Sequence, residues 1–149
     1  MKEEKVSHFR RLEELYYSAP INEVVAHKIA VGEGWARVTW QVEEKMFHGG
    51  GALHGSMYFK MLDDAAFFAG QSLVQDRFIV TAGFNVILLR PVTGGMLRAK
   101  GEVVSQGRNL LAATAVLTDQ EGNEIARGSG NFAVTNKKLE DLLANKLRV

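Results

Sequence analysis

The chain has no cysteine. That absence excludes a disulfide framework, a thiolate zinc site, an iron–sulfur cluster and a cysteine nucleophile together. Proline is almost as scarce: Pro20 and Pro91 are the only two in 149 residues, and no low-complexity linker separates two halves. Nor is there an excess of charge of one sign. Eighteen Lys and Arg stand against 17 Asp and Glu, a formal +1, which leaves no bulk field for a nucleic-acid backbone. No run is long and apolar enough to span a bilayer. Residues 1–17, MKEEKVSHFRRLEELYY, are charged throughout and lack the apolar stretch of a signal peptide. These features lead us to expect one domain over residues 1–149, placed in the cytoplasm, with neither nucleic acid nor membrane as partner. What is abundant is apolar material. Hydrophobic residues make up 46% of the chain, enough for a full core and against bulk disorder.

Val6, Phe9, Leu12 and Tyr16 recur at helical spacing and predict an amphipathic helix over 4–17. It forms an N-terminal extension, residues 1–20, closed by Ser18-Ala19-Pro20 because proline disfavours helix in the residue before it. Residues 24–31, VVAHKIAV, are expected to be a strand, Gly32-Glu33-Gly34 a tight turn, and Ala36, Val38, Trp40 and Val42 the buried face of a second strand. Residues 55–73, GSMYFKMLDDAAFFAGQSL, predict a helix about 27 Å long. Met57, Met61, Ala65 and Phe68 lie on one face, Phe59, Ala66 and Phe67 on the other. Such a helix should be buried nearly all round, yet it carries Lys60, Asp63 and Asp64 at its centre. Four strand-like runs follow, 78–89, 96–105, 110–119 and 124–135, joined by short turns that predict consecutive antiparallel hairpins. Leu139, Leu142, Leu143 and Leu147 predict a terminal helix within 137–149. The economical packing is α+β, a long antiparallel sheet curled around one buried helix.

A glycine-rich loop, His48-Gly49-Gly50-Gly51-Ala52-Leu53-His54-Gly55, leads into the central helix. It lacks the Gly-Lys-Ser/Thr ending of a nucleotide P-loop. His48 and His54 have no carboxylate at a recognisable ligand spacing, so no metal is expected, and no cofactor. Lys60 stands one helical turn from both Asp63 and Asp64 and can pair with either. The residues alone therefore favour a salt bridge for Asp63 over catalysis.

His48-x-x-Gly51-x-x-His54-Gly55 followed by Asp63 resembles the PaaI-like acyl-CoA thioesterases of the hotdog fold. Their usual pattern is Asn-x-x-Gly-x-x-His-Gly-Gly with an acid nine positions beyond the His. The resemblance runs from about Val25 to Val134. It takes in residues 80–91, VTAGFNVILLRP, with their Arg-Pro exit, and the hairpin at Gly107-Arg108-Asn109. His48 stands where the family usually has Asn, and Ser56 where it has the second Gly. Asn cannot titrate and His can, so the role of the amide becomes pH-dependent.

The resemblance implies hydrolysis of acyl-CoA to free acid and CoA, with CoA part of the substrate and no cofactor. The Gly55 amide would form an oxyanion hole at a helix N-terminus, where backbone N–H groups are unsatisfied and the dipole is positive. Asp63 would act as general base or nucleophile across a dimer interface. His48 would orient the carbonyl or the water, Thr81 would hold the water, and His54 would shape the loop. Asp64 is assigned a structural role. Arg90 and Arg108 beside Asn109 are the candidates to meet CoA phosphates, with Lys100 a further one. Asn85 shares the strand face of Thr81 by the two-residue period, and would touch the pantetheine arm or the partner chain. A homodimer is expected, with a tetramer also open. Two other readings stay open: an acyl-CoA-binding protein without turnover, and a hotdog dehydratase acting on 3-hydroxyacyl thioesters. Phe59, Phe67, Phe68 and Met61 could line an acyl pocket or belong to the core.

Overall fold

The structure, a computed structural model, describes residues 2–144. Helix α1 (Lys2–Ser18) buries His8, Phe9, Leu12 and Tyr16. Phe9, Leu12 and Tyr16 are as the spacing predicts, but Val6 is exposed and His8 takes its place in the stripe. A single turn, α2 (Ile21–Val24), follows. Strands β1 (Lys28–Gly32) and β2 (Trp35–Gln41) form a hairpin. A 3-10 turn (Glu44–Met46) and the glycine-rich loop lead into α3 (Gly55–Gln71). Strands β3 (Arg77–Leu88), β4 (Met96–Gln106), β5 (Leu110–Asp119) and β6 (Glu124–Lys138) then precede α4 (Leu139–Ala144).

The expected wrap of sheet around helix is present. All six strands pair antiparallel in the order β1-β2-β4-β5-β6-β3. Inward positions alternate as a half-buried sheet requires: Ala36, Val38 and Trp40 on β2, Leu97 and Ala99 on β4, and Leu111, Ala113, Ala115 and Leu117 on β5 are all buried. Small residues let the layers approach. A Cβ at Gly101 would lie 2.2 Å from the Ala65 carbonyl oxygen, so the backbone of α3 rests directly on β4 there.

Three expectations need correction. Residues 24–31 are not one strand. Pro20 holds helical dihedrals that open α2, and pairing begins only at Lys28, because proline's fixed φ suits the start of a helical turn. The last four strands are not a simple meander either. β3 does not pair with β4. It crosses to the far edge and pairs with β6, which leaves β4 free to accept β2. Residues 89–95 make that crossing, pinned by the Leu53 and Val42 amides, which donate to Val92 and Gly95 at 2.8 and 2.9 Å. Finally, residues 137 and 138 continue β6, with Lys138 opposite Arg77, so the terminal helix starts at Leu139. Leu147 lies outside the described residues.

The central helix is less enclosed than its composition suggests. Met57, Met61, Ala65, Ala66 and Phe68 are buried, but Phe59 is 42% exposed. It points to the side where β3 offers an edge with no strand beyond it.

Candidate active site

The loop before α3 is tightly tied. Phe47 and Leu53 form an antiparallel bridge, the His48 amide donates to Ala52 O at 2.9 Å, and the Gly51 amide donates back to His48 O at 3.0 Å. Gly51 sits at φ +86°, a conformation that L side chains rarely adopt. The Gly50 amide donates to His48 Nδ1 at 2.9 Å. Nδ1 is thereby an acceptor, which leaves Nε2 as the protonated, donating nitrogen of the neutral ring. His48 itself is exposed.

His54 is the N-cap of α3. Its Nδ1 accepts from the Ser56 amide at 3.1 Å and the Ser56 hydroxyl at 2.8 Å. Ser56, the departure from the second glycine, is therefore part of the cap. The Met57 amide donates to His54 O at 3.0 Å. The Gly55 amide, at the first helical position, has no such partner among the described residues. It lines a pocket of about 430 Å³ with His48, Leu53, Tyr58, Leu88 and Arg90. A free N–H at the positive end of a helix, opening on a pocket, is a donor arranged for a developing anion.

Tyr58 escaped the sequence reading. Its hydroxyl donates to Arg90 O at 3.0 Å and so ties the first turn of α3 to the segment leaving β3. Burial pushes its phenol pKa up. Its only signal was a position one turn after Gly55.

Asp63 lies half-buried on the β3 side of α3, and the Thr81 hydroxyl donates to its Oδ1 at 2.9 Å. Burial foremost, with the adjacent Asp64 carboxylate, pushes the Asp63 pKa from 3.8 up to about 6 against the opposing pull of Thr81 and Lys60. Lys60 does not pair with Asp63. It binds Asp64 Oδ2 at 2.5 Å, where the Tyr16 hydroxyl also donates at 2.8 Å. The two acids therefore face different environments, and the salt-bridge alternative belongs to Asp64.

Asn85 needs a correction. A bulge between Thr81 and Gly83 reverses the parity of β3. Thr81 pairs with inward Phe132, whereas Asn85 pairs with exposed Ser129 on the outer surface. The two do not share a face. Arg90 stands at the pocket beside Gly55. Arg108 and Asn109 do not join it within one chain. Their turn lies by the far end of α3, where the Gln106 amide reaches Leu73 O at 3.5 Å, about 25 Å of helix from Gly55. Lys100 sits on the outer sheet surface in an ion pair with Glu102 at 3.4 Å. Among the described residues, no group of three or more His, Asp or Glu could hold a metal ion.

The site thus has two halves. One is a free amide with a pocket and the His48 ring. The other is a carboxylate of raised pKa bonded to a threonine. Eight residues of helix separate Gly55 from Asp63, about 12 Å along the axis. One thioester cannot touch both within a single chain.

Residues 50–126, just over half of the chain, match the family model of the thioesterase superfamily. The chain belongs to that superfamily. A Saccharolobus solfataricus protein carrying an esterase name is 28% identical over 102 residues, 68% of each chain. The PaaI protein of the Escherichia coli phenylacetic acid degradation operon superposes with a TM-score of 0.82 at 23% identity, over 90% of this chain and 97% of that one. A Streptococcus mutans protein solved with acetyl-CoA bound gives 0.69 at 24% identity, over 74% and 90%. The fold is therefore the hotdog fold, and the superfamily points to thioester hydrolysis.

Proposed function

We propose that the protein hydrolyses acyl-CoA thioesters in a site completed by two copies of the chain, with Asp63 of one copy facing the Gly55 amide of the other. The observation that carries this reading is the split site: a free donor and a raised-pKa carboxylate about 12 Å apart on one helix. A two-fold axis resolves the separation. If residue 63 meets residue 55 of a second copy, the axis passes the helix midway, at Phe59. Phe59 is exposed and packs edge-on against Phe84 of β3, ring centres 5.5 Å apart. β3 is also an edge strand of 12 residues, with Val80, Ile87 and Leu88 between 41% and 52% exposed. A long apolar edge of this kind invites pairing.

In this reading a water held between Asp63 and Thr81 attacks the thioester carbonyl carbon. Its proton passes to Asp63, whose raised pKa suits a base near neutrality. The carbonyl oxygen becomes an oxyanion against the Gly55 N–H, with His48 Nε2 as a neighbouring donor. Collapse of the tetrahedral intermediate breaks the carbon–sulfur bond and releases the CoA thiolate and the free acid. Arg90 at the pocket mouth meets the CoA phosphates. The same two-fold brings Arg108 and Asn109 of the second copy toward the His48 loop.

The test is thiol release from a panel of acyl-CoAs by the parent and by Asp63→Asn. Turnover by the parent and a loss of 100-fold or more in the variant (about 3 kcal/mol of transition-state stabilisation) are expected. Tight acyl-CoA binding without thiol release would instead identify a binding protein. Enoyl formation from a hydroxyacyl-CoA would identify a dehydratase.

A further inference from the structure

Asp63 and Asp64 are consecutive carboxylates on one helix, about 100° apart around its axis. Asp63 turns to β3. Asp64 turns the other way, into a cluster built from four segments of the chain. Lys60 Nζ reaches Asp64 Oδ2 at 2.5 Å, Asn22 Oδ1 at 2.7 Å, and the Tyr16 hydroxyl and His27 Nδ1 at 3.4 Å each. The ammonium also lies 5.2 Å from the centre of the Tyr16 ring. The Tyr16 hydroxyl donates to Asp64 at 2.8 Å, and Asn22 donates to the Tyr16 carbonyl at 2.7 Å. The Lys60 and Asp64 side chains are only 13% and 20% exposed. An exposed i,i+4 ion pair needs none of this enclosure.

We propose that Tyr16, Lys60 and Asp64 form a positioning clamp for Asp63: it pins the neighbouring carboxylate away from the β3 side of α3 and supplies a cation that offsets it. This rests on the reading of Asp63 as the base. Without the clamp, Asp64 could swing toward the site and two carboxylates would compete for one water. The N-terminal extension then acts in catalysis at one remove through Tyr16, and α2 through Asn22, with no contact to substrate. The charged groups that act on Asp63 are Asp64 and Lys60, both on α3, while β3 offers the Thr81 hydroxyl. His27, buried and pushed down to about 3 by desolvation and by Lys60, adds no charge near neutrality.

The test is the acid limb of kcat/KM against pH, read by thiol release from the acyl-CoA with the fastest turnover. Lys60→Met removes the offsetting cation and should move the limb to higher pH by on the order of half a unit. Asp64→Asn removes the competing anion, keeps an acceptor for Tyr16 and Lys60, and should move it down by a similar amount. The double variant should return near the parent. A structural role alone would lower the rate or the melting temperature and leave the limb in place. Limbs that coincide with the parent's, in variants folded by circular dichroism, overturn the clamp. Should Lys60→Met not fold, the nearly isosteric Asp64→Asn decides by itself. Asp63→Asn is measured alongside. If it matches the parent, the base assignment falls and the clamp with it. If it is dead while the other limbs stay fixed, the clamp alone falls.

Discussion

Replacing Asp63 by Asn keeps the shape of the side chain and an acceptor for Thr81, but removes the charge. The consequence for stability follows from the same burial that makes the residue a base. Its pKa is pushed from 3.8 up to about 6, with burial the largest cause. The folded protein therefore holds the proton more tightly than the unfolded chain. In the window between those two values the folded state binds more protons, so this group's contribution to stability falls as pH rises. Below about pH 3 both states are protonated and the charge costs nothing. Above about pH 7 the full cost is present, about 3 kcal/mol if taken at face value. Asp63 is only half-buried, and solvent screening reduces that to about 1–2 kcal/mol. Asp63→Asn should then be more stable than the parent at pH 7.5 by that amount, about 3–6 °C in melting temperature for a chain of this size. At pH 4 most of the gain should be gone. Thermal unfolding of both proteins at the two pH values is the assay. An equal gain at both, or no gain at pH 7.5, would refute the reasoning, because the carboxylate would then carry no desolvation cost.

Three other outcomes are expected. Thr81→Val removes a donor to the Asp63 carboxylate and should raise the acid limb of kcat/KM by about half a pH unit or more, since hydrogen bonds to charged groups favour the charged form. A pH profile that coincides with the parent's would count against it. Gly101→Ala places a Cβ 2.2 Å from the Ala65 carbonyl oxygen and should destabilise the fold by about 3 kcal/mol in urea titration. Parent-like stability there would mean that α3 does not rest on β4. Phe59→Lys places two ammonium groups together on the proposed two-fold axis. Light scattering should find a folded monomer, and thiol release should find it inactive; an active dimer would remove Phe59 from the axis.

Much of this was legible because period and punctuation carried it. Alternation on β2 marked the inward face, and three of the four α1 residues picked out by spacing, Phe9, Leu12 and Tyr16, are buried. The loop motif placed Gly55 and His54 at the start of α3, and the structure adds that Ser56 completes the cap. Other features had no local signal. The crossing of β3 to β6 is decided by long-range pairing, and nothing in residues 89–95 distinguishes a crossover from a hairpin turn. The bulge at Ala82 inserts one residue and turns Asn85 outward, which a strict two-residue period cannot register. Val24 obeys Pro20 rather than its own strand preference. Asp63 and Asp64 offered Lys60 the same one-turn geometry. Distant partners, Tyr16 on Asp64 and Asn22 on Lys60, hold the pair on the Asp64 side.

The central claim is that each site takes its amide from one copy and its carboxylate from another. Two inactive variants test it. Asp63→Asn lacks the base. Gly55→Pro lacks the N–H, at the one helical position where proline is tolerated. Unfolded together and refolded as a mixture, half of the dimers should pair one of each, and each such dimer holds one intact site of two. Thiol release should return to about one quarter of the parent rate. A mixture as inactive as its components, with mixed dimers shown to be present, would contradict the shared site.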